Sequence, residues 1–219
     1  MLLALLVAAS AAPARSAPPA QKPPALPLLS DPALSEALGE FQPLPGAWVE
    51  YAVIPRKGAQ ARLRLTVLAP LLRGGRYWLE SASQSQGAPP VAVRMLLHGP
   101  PGRVENLERL YLYVGGQAPM EFPVDADLRG APPAVPRRPG PRVRRRGVQE
   151  IQVAAGRFRA QLIQAGPARV WRSEGVPLWG LVKEVDARRR VELIAFGHSG
   201  GRTVFPAEFD QGNGNESRK

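Results

Sequence analysis

The chain has 219 residues, 44% of them hydrophobic, enough to bury the core of one domain or at most two small ones. Its 29 basic residues outnumber 18 acidic ones to give +11, and 25 of the 29 are arginine. With alanine, glycine and proline also abundant, the arginine excess reads as the codon usage of a GC-rich genome more than as a nucleic-acid partner, although such a field attracts anionic membranes and polyanions whatever its origin. Cysteine is absent, which excludes a disulfide framework, a thiolate nucleophile, a cysteine-based zinc site and an acylated N-terminal cysteine.

The chain opens on an apolar run, Met1 to Ala14, too short to span a bilayer but suited to a signal-peptide core. Small residues with A-x-A spacing follow at Ala9/Ala11 and Ala12/Ala14, so residues 1–14 are expected to be a signal peptide, although no lysine or arginine precedes the run. The mature protein is then expected to be exported: periplasmic in a cell with two membranes, and peripheral to a membrane if its positive charge holds it there. Residues 15–45 read as a Pro/Ala-rich linker followed by one short helix over 32–41. Asp31-Pro32 supplies an N-cap and a first-turn proline, and Leu34, Ala37, Leu38 and Phe41 share a face.

From residue 46 the apolar period becomes two. Val49, Tyr51 and Val53 alternate with polar or small neighbours. After the Arg56–Ala59 turn, Leu63, Leu65 and Val67 are interleaved with Arg62, Arg64 and Thr66. Tyr77, Leu79 and Ser81 follow the Gly74-Gly75 turn. Val91 to Leu97 ends at Gly99-Pro100-Pro101-Gly102, Leu110 to Val114 ends at Gly115-Gly116, and a short strand fits Met120 to Val124. Residues 126–147 break the pattern, because their prolines have no N–H to give a sheet, and predict a long Pro/Arg-rich loop carrying Arg137, Arg138, Arg142, Arg144, Arg145 and Arg146. Strands resume at Ile151 and Val153, at Phe158 to Leu162, at Val170-Trp171, and in a last hairpin, Leu181–Val185 with Val191–Phe196. Residues 207–219 are polar and glycine-rich and read as a disordered tail. About ten strands at hairpin spacing, without β–α–β alternation, predict a mainly β domain over 46–206 built on a single curved antiparallel sheet, a half-barrel.

Gly197-His198-Ser199-Gly200-Gly201 matches the G-x-S-x-G of a hydrolase elbow, and an apolar strand precedes it. Arg202 to Pro206 supplies no helix after it, and no histidine lies downstream of His198, so a Ser199 hydrolase is the least favoured reading. His98 and His198 lack ligand-type spacing to carboxylates, so no metal is expected, and each is placed at a strand end facing solvent. Glu105 with Glu108, and Glu184, Asp186 and Glu192, could pair for acid–base work but look the same as residues on an exposed sheet face. The six loop arginines have no aromatic among them, which argues against nucleic acid; a solvated loop is the default, and an anionic membrane surface is the better functional expectation.

In the C-terminal third, Val153-Ala154-Ala155-Gly156-Arg157-Phe158 forms a glycine-turned hairpin. Val170-Trp171-Arg172-Ser173-Glu174-Gly175-Val176-Pro177-Leu178-Trp179-Gly180-Leu181-Val182-Lys183 and Glu192–Gly197 follow it. Over about residues 148–197 this resembles bacterial envelope proteins of the LolA/LolB-like lipoprotein-localisation superfamily. The resemblance implies a half-barrel around an apolar cavity, binding of an acyl chain or lipidated partner, no cofactor and no catalysis. The chain departs from those proteins in having one helix rather than several, an added arginine loop and no lipobox cysteine. The candidate cavity residues are Val49, Tyr51, Leu63, Leu65, Val67, Tyr77, Leu79, Val93, Met95 and Leu112. The expected function is a non-enzymatic envelope protein holding a hydrophobic or lipid ligand. The alternative is a structural or protein-interaction module with no small ligand, its concave face filled by its own side chains or by a partner.

Overall fold

The structure, a computed structural model, describes residues 37–69, 71–124 and 143–209. The proposed signal peptide, the Pro/Ala linker, the first part of the short helix and most of the arginine loop lie outside the described residues. Eleven strands follow one another: β1 (Trp48–Pro55), β2 (Ala61–Val67), β3 (Tyr77–Ser85), β4 (Val91–Leu97), β5 (Leu107–Val114), β6 (Met120–Phe122), β7 (Val143–Val153), β8 (Gly156–Ala165), β9 (Ala168–Arg172), β10 (Leu181–Val185) and β11 (Arg189–Gly197). They make one antiparallel sheet in the order β6-β5-β4-β3-β2-β1-β11-β10-β9-β8-β7. Two meanders, β1 to β6 and β7 to β11, therefore join where the first strand pairs with the last.

Alternation in β1 to β5 sorts side chains onto two faces, as a pleated strand requires. Leu63, Leu65 and Val67 register against Ser83, Ser81 and Leu79, and Val93 and Met95 register against Leu112 and Leu110, so the inner face is continuous across strands. On the opposite face Arg62 and Arg64 register against Ala52 and Glu50.

The sheet coils strongly at its C-terminal half. Flat strands about 4.8 Å apart would hold β8 three spacings from β11. Yet the Ala155 N–H, in the β7–β8 turn, donates to the Leu193 carbonyl at 3.2 Å, and the Phe158 and Phe196 rings lie 5.9 Å apart. The pairing of β1 with β11 shifts register between Glu50 and Tyr51, where Tyr51 faces Leu193 and Glu50 faces Ala195. The extra β11 residue bends that strand, as a bulge does.

The expected helix survives in the described residues as Ala37 and Leu38 alone. Ala37, Leu38 and Phe41 are buried, so three of its four predicted apolar positions face the core. The loop expected over 126–147 ends earlier than its prolines and arginines suggest: Val143 to Gly147 already belong to β7, paired with β8 from Val143↔Ala165 onward. Consecutive arginines are tolerated there because β7 is an edge strand whose residues 144–150 are all exposed. The tail is also ordered further than expected. Ala207 to Phe209 form a helical turn, and Phe209 packs edge-on against Tyr111 with ring centroids 4.9 Å apart.

Candidate functional site

All ten candidate cavity residues come together. Val49 and Tyr51 (β1), Leu63, Leu65 and Val67 (β2), Tyr77 and Leu79 (β3), Val93 and Met95 (β4) and Leu112 (β5) belong to one cluster, each at most 7% exposed. Burial of each such side chain is worth roughly 1.5–3 kcal/mol. Two phenols enter this apolar layer with their hydroxyls satisfied: Tyr51 donates to the Leu181 carbonyl at 3.2 Å and Tyr77 to the Gly99 carbonyl at 2.6 Å. Burial raises the pKa of both above the ordinary phenol value.

Two short segments roof this face. Phe41 stacks on Tyr77 at 5.5 Å and meets Trp179 at 4.7 Å, while Val176 and Leu178 are buried beside them. The Gln42 N–H donates to the Leu178 carbonyl at 3.1 Å, stitching the segments together. Leu178 adopts φ 66°, a left-handed conformation that costs an L-residue roughly 1–2 kcal/mol and that this packing sustains. Gly180, at φ +73°, lies where a Cβ would sit 2.7 Å from the Ser173 carbonyl oxygen, so glycine alone fits the return into β10. The roof was only partly legible: Phe41 stood in the predicted helix stripe, whereas the role of Val176–Trp179 had no periodic signal.

The outer face carries a second, polar cluster that strand alternation did not single out. Glu80 and Arg94, register partners on β3 and β4, are 2% and 4% exposed. Arg94 donates from Nε and Nη2 to Glu80 Oε2, each at 3.3 Å. The carboxylate also accepts the Thr203 hydroxyl at 2.7 Å and the Val204 N–H at 2.8 Å. Phe205 and Phe209 close over the Arg94 guanidinium at 4.3 and 5.2 Å from their ring centroids. Thus residues 201–209 form a strap across the outside of the sheet. Beside it Glu50 bridges Arg62 and Arg64, each at 3.6 Å, and Arg64 stacks on Trp48 at 4.0 Å.

The G-x-S-x-G stretch is the hinge of this strap. After β11 the chain turns and runs extended: the Ser199 carbonyl accepts from Trp48 Nε1 at 3.2 Å, and the Gly201 N–H donates to Gly46 at 2.8 Å. No helix follows Ser199 within residues 200–206. His198 is exposed with its ring edge-on to Phe196, and His98, exposed after β4, lies 3.4 Å from Glu108. The candidate carboxylates of the last hairpin take structural partners: Glu184, 1% exposed, receives Arg189 Nη2 at 3.3 Å, Glu192 meets Lys183 at 2.7 Å, and Asp186 caps the hairpin through the Arg189 N–H at 2.7 Å. Among the described residues no group of three or more potential ligands could hold a metal ion.

Arg144, Arg145 and Arg146 lie exposed on β7, whereas Arg137, Arg138 and Arg142 lie outside the described residues. Burial first, and the like charge of Arg145 on β7 second, lower the Arg172 pKa.

No protein-family model and no curated protein sequence matches the chain. Two solved structures do. One is a "putative lipoprotein" of Parabacteroides distasonis, at 10% identity and TM-score 0.36. The other is a "putative exported protein with YmcC-like fold" of Bacteroides fragilis, at 11% identity and TM-score 0.33. Each likeness covers 72% of this chain and 97% of the other. The likeness lies in the fold alone.

Proposed function

We propose that this is an exported, non-enzymatic interaction module of the bacterial envelope, a half-barrel that fills its own concave face and engages partners through its surface. The observation that carries this reading is the burial of all ten inner-face residues in one cluster with Phe41, Val176, Leu178 and Trp179, each of the ten being at most 7% exposed. The apolar N-terminal run supports export. The strap geometry at Ser199 supports a structural role for that serine over a catalytic one.

A second reading, a hydrophobic ligand held against the inner face, is favoured by the thinness of the roof. Among the described residues the roof over Tyr77 is two short segments, and their opening would expose apolar surface. Native mass spectrometry of the full chain purified from a bacterial envelope separates the two. The module reading expects the mass of the polypeptide alone and no change in melting temperature on adding palmitate. A stoichiometric co-purifying lipid, or a saturable rise in melting temperature with palmitate, would overturn it in favour of the ligand reading.

A further inference from the structure

β7 is the longest strand of the sheet, eleven residues, and among the described residues nothing pairs with its outer side. Residues 144–150 are exposed, Val148 at 53%. A free edge of this length offers a row of unpaired N–H and C=O groups, the template on which a further strand adds. The other edge of the sheet, β6, has only three residues.

The charge on this ribbon is one-sided. β7 and β8 together carry Arg144, Arg145, Arg146, Arg157 and Arg159 against one acid, Glu150. None of the three β7 arginines is in an ion pair with a described residue. Arg145 adds to a cation already present, since Arg172 of β9 feels its charge. The same arginines repel a second copy of this edge, so the charge that guards against self-pairing selects for an anionic strand.

Two features favour a polypeptide over a membrane. Consecutive strand residues point to opposite faces, so a planar surface meeting Arg144 cannot also meet Arg145, whereas an added strand carries side chains on both faces. Lipid phosphates only accept hydrogen bonds and would leave the free carbonyls of β7 unpaired, whereas a strand satisfies donors and acceptors together. The register of β7 against β8 shifts between Arg145 and Gly147, and Gly147 sits at φ 130°. This bulge divides the edge into an arginine-rich half and the stretch from Val148 to Val153.

We propose that the free edge of β7 is a docking strand for an extended, acidic segment of a partner protein, which joins the sheet as its next antiparallel or parallel strand. This rests on the interaction-module reading and names the partner's chemistry. The test uses the full chain and a fluorescent peptide of alternating glutamate and valine. Its controls are a glutamine–valine twin, a version N-methylated on every amide, and phosphatidylglycerol vesicles. Anisotropy should show salt-sensitive binding of the acidic peptide and at least about tenfold weaker binding of the glutamine twin. The N-methylated version should lose binding, because an added strand must donate from one of its two edges to the sheet. Amide exchange should slow in residues 144–152. The variant Arg144→Gln/Arg145→Gln/Arg146→Gln should lose at least about tenfold in affinity while keeping the wild-type melting temperature, since all three side chains are exposed. Undiminished binding of the N-methylated peptide, no binding of the acidic peptide, or protection of β7 by vesicles and not by peptide would each overturn the proposal. Lipid on the inner face would instead overturn the module reading and leave the β7 measurements as they are.

Discussion

Replacing Arg94 by methionine isolates the buried polar cluster of the outer face. The side chain removed is 5% exposed and its partner carboxylate, Glu80, 2%. The substitution takes two charge-assisted hydrogen bonds of 3.3 Å from Glu80 Oε2 and leaves a buried anion held by the Thr203 hydroxyl and the Val204 N–H. Stranding one member of a buried pair costs about 3–5 kcal/mol. The cation over Phe205 and Phe209 is lost as well, so the middle of that range is expected rather than its floor. For a domain of this size each kcal/mol shifts the melting temperature by roughly 2–4 °C, which places the variant about 8–16 °C below wild type. Circular dichroism at the strand minimum reads the global transition, and amide exchange of residues 202–209 reads the strap. The double variant Glu80→Leu/Arg94→Met should recover most of the loss, because two well-packed apolar residues replace two charges at little net cost. A single variant that melts within 2 °C of wild type, or a double variant no better than the single, would refute the assignment of this pair as a buried latch.

The roof and the phenols beneath it give two further expectations. Gly180→Ala should destabilise by more than about 1 kcal/mol in chemical denaturation, since a Cβ there meets the Ser173 carbonyl at 2.7 Å from a positive φ; an unchanged midpoint would contradict the turn geometry. Burial raises the folded-state pKa of Tyr51 and Tyr77, so their contribution to stability is complete below the ordinary phenol value of about 10 and falls as pH rises above it toward the folded values. Absorbance at 295 nm should therefore lack the phenolate signals of Tyr51 and Tyr77 in the folded protein just above that pH and gain them on unfolding. Replacing Tyr51 and Tyr77 by phenylalanine should remove the signal that unfolding releases.

Strands that bury one face and leave the other more exposed wrote themselves into the chain, as Leu63 and Leu65 beside Arg62 and Arg64 show. So the fold class and the inner-face set were readable from period alone. β7 was harder, because its first half is exposed on both faces and an edge strand of that kind has the composition of a loop. The buried Glu80–Arg94 pair looked like ordinary outward-facing charge; only the returning strap, from Thr203 to Phe209, makes it a core, and that contact spans more than a hundred residues. Likewise no local signal announces that Phe41 meets Trp179, or that β1 pairs with β11. The G-x-S-x-G stretch shows the converse: its glycines serve the close approach of the strap to Trp48 and Gly46, and its serine side chain is incidental to that.

The joint between β1 and β11 sets a timetable for assembly. Trp48 faces Gly197 across this ladder, so the central seam of the sheet waits for the last strand, while each meander on either side closes through adjacent hairpins. Loop closure across most of the domain costs on the order of 4 kcal/mol, against about half that for a hairpin. A chain emerging from its N-terminus thus presents β1 with one side bare throughout the synthesis of ten further strands. During that interval the half-formed sheet has an open seam lined by Trp48, Val49 and Tyr51, which is where holding factors would act and where a chain truncated before β11 would aggregate.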